Sequence, residues 1–126
     1  MVTMRHRGFT LIEVLVTLAI VAMILTIAAP RYFGNIDRAR EDVLREDLFV
    51  LRDAIDKFYS DKNHYPNTFD ELVTEKYLRA IPVDPFTKSR DTWQAVPSDD
   101  PSLGAIADVH SGTAERGRDG SFVREW

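Results

Sequence analysis

The chain has 126 residues, 44% of them apolar, a net charge of −4 and no cysteine. That length fits one modest domain, and with no disulfide available a small soluble core must be held by packing and polar contacts alone. The acidic balance, with a pI near 5.3, excludes a dedicated nucleic-acid binder, which would carry a basic face.

The first element is the informative one. Arg5, His6 and Arg7 precede Gly8, and from Phe9 to Ala29 the chain is apolar except for Thr10, Glu13, Thr17 and Thr26. As a helix this run is roughly 31 Å long, enough to cross the hydrocarbon core of a bilayer. The arginines on its N-terminal side place the N-terminus in the cytoplasm and the residues after Pro30 outside. An ordinary secretory signal peptide fits poorly, because Ile27 and Ala29 make a weak cleavage site with Pro30 directly after the cut. A simple anchor leaves Glu13 unexplained, since a carboxylate in hydrocarbon costs about 3 kcal/mol and is usually paired or functional.

The residues Arg7-Gly8-Phe9-Thr10-Leu11-Ile12-Glu13 resemble the class III signal of type IV prepilins and type II secretion pseudopilins. The resemblance implies that a prepilin peptidase removes residues 1–8 as a leader, cutting between Gly8 and Phe9, and methylates the new Phe9 amine. It also implies that residues 9–29 form the membrane and filament-core helix, and that 30–126 form a periplasmic globular domain. Glu13 lies about 6 Å along the helix from that amine. By the same resemblance it pairs with the Phe9 amine of a neighbouring subunit, fixing axial register in an apolar bundle where an unmatched charge is strongly unfavourable.

Beyond the span, Pro30 removes a backbone donor and Gly34 has low helix propensity, which predicts a kink or local unwinding. Two readings stay open here: the helix continues past the proline, or it ends at Ala29 and a new one starts near Asp37. From Ile36 to about Ser60, Val43, Leu44, Leu48, Leu51, Ile55, Phe58 and Tyr59 recur at three- and four-residue intervals among charged residues. The pattern predicts an amphipathic helix with one stripe packed on the domain and a solvated charged face.

Asn63 to Asn67 is turn chemistry, and Thr68-Phe69-Asp70-Glu71 is a capping box that starts a short helix reaching about Lys76. Pro82 and Pro85 forbid a helix in the next segment, which should run extended with Phe86 turned into the core. This region, from Tyr65-Pro66 to Ile81-Pro82-Val83-Asp84-Pro85-Phe86, is similar to the loop that follows the long helix in the G-type major pseudopilins. The last third predicts three short antiparallel strands, Thr92 to Val96, Gly104 to Val109 and Ser121 to Glu125, with a turn over Pro97 to Ser102. Trp93, Ile106, Phe122 and Trp126 supply their packed face. The expected fold is therefore α+β and pilin-like, a long N-terminal helix packed on a small antiparallel sheet.

G-type pseudopilins hold calcium in their C-terminal loop, and Asp108, Ser111, Asp119 and Ser121 are the corresponding oxygen donors here. Arg116 and Arg118 oppose a divalent ion, so the alternative is a polar turn in which Asp119-Gly120 closes a hairpin. No cofactor is otherwise required. His6, His64 and His110 lack metal or triad spacing, and Ser111-Gly112 lacks a nucleophile-elbow pattern, so no enzyme activity is expected.

The function this implies is a structural subunit of a pseudopilus that drives protein export across the outer membrane by type II secretion. Its expected partners are copies of itself in a helical filament, the prepilin peptidase, the inner-membrane assembly platform, minor pseudopilins and membrane lipid, with no nucleic acid. Two alternatives are a type IV pilus subunit and a membrane-anchored binding protein that never polymerises. The latter predicts no processing and no dependence on Glu13.

Overall fold

The computed structural model describes residues 8–126. The leader residues Arg5, His6 and Arg7 lie outside the described residues. The chain divides into two compact units, one ending at Ile36 and the other spanning Asp37–Trp126.

The backbone of the fold is α1, Leu11–Lys62, a helix of 52 residues. It runs unbroken through Pro30 and Gly34, so of the two readings of this segment the structure takes the continuous one, without unwinding. Proline deletes a single amide donor, and the helical bonds of the turns on either side are enough to carry the backbone across that gap. In the first unit every described residue is exposed; Leu11 is 79% exposed and Met23 68%. This helix is long and apolar enough to cross a membrane. Within one chain its residues up to Ile36 gain nothing from tertiary burial.

The second unit has a dry centre. Leu44, Leu48, Leu51, Ile55 and Phe58 of α1 are buried together with Ala54, on the alternating four- and three-residue spacing that keeps one helix face turned inward. Val43 and Tyr59, expected in the same stripe, are instead exposed at 50% and 36%. Val43 sits one residue, about 100° of helix rotation, from the Leu44 row. Across from that row, Leu72, Trp93, Ile106, Val109 and Val123 complete the core.

The second helix, α2, covers Phe69–Thr74. Thr68 caps it in extended conformation and its hydroxyl accepts from the Glu71 amide at 3.3 Å. The Glu71 carboxylate reaches back one residue further than the expected box, to the Asn67 amide at 3.4 Å. The helix stops short of Lys76 because Lys76 turns to a left-handed φ of 66°, after which Tyr77 and Leu78 both donate to the Leu72 carbonyl. That closure satisfies the end of so short a helix.

Two strands pair antiparallel, β1 (Gln94–Val96) and β2 (Asp108–His110), with Ala95 opposite Val109. Both are shorter than the sequence pattern predicts. Between them, Pro101–Leu103 forms a 3₁₀ turn capped by the Asp100 carboxylate, and Gly104 takes a φ of 125° with its α-carbon against the Tyr65 carbonyl. The expected third strand, Ser121 to Glu125, is corrected: Val123–Glu125 is a 3₁₀ turn. Only Phe122 keeps a bridge, to Arg116. Gly117 and Ser121 close a local turn and the Trp126 ring lies against the Gly117 α-carbon. The segment therefore folds on itself instead of extending the sheet.

The proline-rich segment runs without helix, as expected, and the Pro82 carbonyl accepts from the Trp93 indole at 2.9 Å. Phe86 is half-buried at the margin of the core, with the Arg40 guanidinium 4.3 Å above its ring. A long helix carrying a small antiparallel sheet makes the α+β, pilin-like class the observed one.

Candidate assembly and processing site

Gly8 and Phe9 precede the first turn of α1 in non-helical backbone, and Phe9 is 88% exposed. A β-carbon built on Gly8 would meet nothing. Among the described residues nothing crowds the peptide bond between them.

Thr10 then starts the helix. Its hydroxyl accepts from the Glu13 amide at 3.3 Å, and its own amide donates to Glu13 Oε2 at 3.1 Å. This is a reciprocal capping box, in which two otherwise orphaned donors of the first turn are satisfied by side chains. It also fixes where the sole acid of the apolar run is held: over the N-terminus of its own helix, where the backbone dipole favours negative charge. The Thr17 hydroxyl donates to the Glu13 carbonyl at 2.7 Å, so within this turn only Glu13 Oε1 is left without a donor. Sequence reasoning missed the role of Thr10. The signal was available, because the Thr-x-x-Glu spacing read at Thr68 also stands at Thr10.

The residues proposed for calcium separate. Asp108 faces the Arg52 guanidinium, with Oδ1 2.8 Å from Nε. Ser111 is buried, and its hydroxyl donates to Asp84 Oδ2. Asp119 and Ser121 are brought together, the carboxylate accepting from the Ser121 amide at 2.9 Å and hydroxyl at 2.6 Å. Those bonds hold the Asp119 carboxyl below its ordinary range. The four donors enter three different partnerships and do not fit a common cation. Of the two opposing arginines, Arg116 donates to the nearby Gly120 carbonyl at 2.8 Å, while the Arg118 backbone amide donates to Glu41 Oε1 of α1 at 2.6 Å.

Arg52 and Asp84 are the charged residues that the sequence reading did not single out. Asp84 is fully buried; its Oδ1 accepts from the amides of Phe86 and Thr87 and its Oδ2 from Ser111. It thereby ties the proline-rich turn to the segment after β2. An aspartate just before a proline is a turn signal, but nothing local announces that it is buried. The histidines do not converge: His64 is exposed beside the Tyr65 carbonyl, and His110 belongs to β2.

The prokaryotic N-terminal methylation motif family matches residues 3–29. The chain is similar to type II secretion system core protein G of Escherichia coli strain K12, 29% identical over 67% of this chain and 69% of that protein. It is 31% identical to the protein of the same name from Pectobacterium carotovorum over 65% of this chain and 63% of that one. To the one from Aeromonas hydrophila it is 30% identical over 65% of this chain and 68% of that one. No solved structure matches significantly.

Proposed function

Because the chain belongs to the type II secretion system core protein G family, we propose that it is a pseudopilus subunit, anchored in the inner membrane through the first half of α1 and polymerised through that same helix. A prepilin peptidase cuts between Gly8 and Phe9 and methylates the Phe9 amine. The second unit stands on the periplasmic side, and the subunit enters a helical filament with copies of itself that serves protein export. The assembly platform and minor pseudopilins would be its further partners. No catalytic step is assigned to the chain; among the described residues no histidine is hydrogen-bonded to a serine.

One observation carries this reading. The apolar first stretch of α1, exposed on every face, bears a single carboxylate, held at its first turn beside an exposed glycine–phenylalanine pair. Before cleavage the Phe9 nitrogen is a peptide amide without charge. Afterwards it is a cationic amine of ordinary pKa about 8. Processing therefore creates the partner that Glu13 needs in a bilayer, where an unpaired carboxylate costs about 3 kcal/mol. Since Oε2 is engaged with Thr10, Oε1 is the atom left to meet the amine of a neighbouring subunit. A cleaved chain thus differs from its precursor in having a reason to associate in one register.

Cysteine crosslinking along the helix in intact cells tests this. The processed wild-type chain should give a ladder of multimers, and Glu13→Ala should lose most of the ladder while remaining cleaved and membrane-bound. A ladder of undiminished length from Glu13→Ala would remove the pairing from the account.

A further inference from the structure

One guanidinium of α1 binds both ends of the segment from β2 to Trp126. Arg52 Nε donates to Asp108 Oδ1 at 2.8 Å, and its Nη2 donates to the Val109 carbonyl at 3.0 Å and to the backbone oxygen of Trp126 at 2.6 Å. One carboxylate and two backbone oxygens, drawn from two stretches well separated in sequence, are the kind of donor set a hard divalent cation gathers. Here they are gathered by the fixed planar fork of an arginine, which stays charged at any physiological pH.

The neighbouring contacts point the same way. Arg45 lies 4.4 Å over the Trp126 ring. The Trp126 indole donates to Ser121 Oγ at 2.7 Å, and the Ser121 hydroxyl in turn donates to Asp119 Oδ1. Asp119 Oδ1 is thus satisfied inside its own turn. Arg40 adds a contact to Glu115 at 3.6 Å. Asp108, Glu115 and Asp119 thus each face a donor from the chain.

We propose that Arg52 takes the structural place of a metal ion in this protein, closing the 108–126 segment onto α1 so that the fold is independent of calcium. The inference concerns the second unit alone and stands whether or not the chain polymerises. A charge supplied by the chain cannot be withdrawn by a chelator or diluted away, so the folded state should be insensitive to the calcium level around it.

The test uses the full chain purified in detergent micelles, with thermal unfolding followed by tryptophan fluorescence in excess calcium and in excess EDTA. The wild type should melt at the same temperature in both. Arg52→Ala should melt lower by at least about 5 °C in both, the size of shift expected when a domain of this length loses a multiply bonded tether. Arg52→Lys, which keeps the charge and loses the fork, should fall between them. Stabilisation of the wild type by calcium, or an Arg52→Ala chain that melts like the wild type, overturns the proposal. Should Arg52→Ala fail to fold, calorimetric titration of the wild type with calcium decides: no saturable heat supports the proposal, and saturable binding overturns it.

Discussion

Asp84 and Asp47 place two carboxyls under one end of the domain with opposite fortunes. Asp84 is fully buried, but both oxygens accept hydrogen bonds, and its own amide and carbonyl close the turn with Ser89 and Lys88. Leaving such a group without its donors costs about 1–3 kcal/mol or more. Asp47 has no such help. Burial first, then the charges of Asp84 and Glu46, push its carboxyl above the ordinary range. The folded state therefore binds this proton more readily than the unfolded chain does, so stability falls as pH rises through the raised value and is recovered on acidification. Asp47→Asn should raise the melting temperature at neutral pH and flatten its rise on going toward the ordinary carboxylate range. Thermal unfolding across pH checks this, and a variant profile parallel to the wild type would refute it.

At the scale of elements, α1 and α2 both begin on a Thr-x-x-Glu box, but the boxes have different weight. The first caps 52 residues and the second only six, too few to persist without a cap and a buried Leu72. Thr68→Ala should cost about 1 kcal/mol in chemical denaturation, with amide exchange accelerated locally over Phe69–Thr74 while β1 and β2 keep their protection; no change in either would show that Leu72 alone holds the helix. The inward row of α1 was legible in the sequence because Leu44, Leu48, Leu51, Ile55 and Phe58 carry the helical period in large side chains. Ala54 was not, being too small to mark a face. The two strands were legible in place but not in length, since Gly104 and the turn before it draw residues out of the ladder. The third failed because Phe122 and Trp126 look like strand residues, and only the packing of Trp126 on Gly117 shows that the chain turns there. Arg52 reads locally as one more charge on a solvated face, and its partners lie more than fifty positions downstream. Glu13 was the opposite case, conspicuous because its surroundings are apolar.

For the whole molecule, burial is divided unequally. All of the described first unit is exposed, whereas the second encloses a core drawn from α1, α2, β2 and the loops. An apolar stretch of helix that buries nothing in its own chain must bury its surface in lipid, in other copies, or in each in turn. Glu13, the sole acid of the apolar run 9–29, gains a cationic partner only if the peptide bond before Phe9 is cut. Under the proposed function, cleavage at that bond is therefore the event on which pairing and assembly turn. The intact mass of the membrane-extracted protein tests it most directly, measured beside Gly8→Ala. The account predicts a wild-type chain that begins at N-methylated Phe9 and a Gly8→Ala chain that keeps residues 1–8. A wild-type chain of full length, or one cut after Ala29, would contradict it and leave a protein that is anchored or secreted but not assembled through its N-terminal helix.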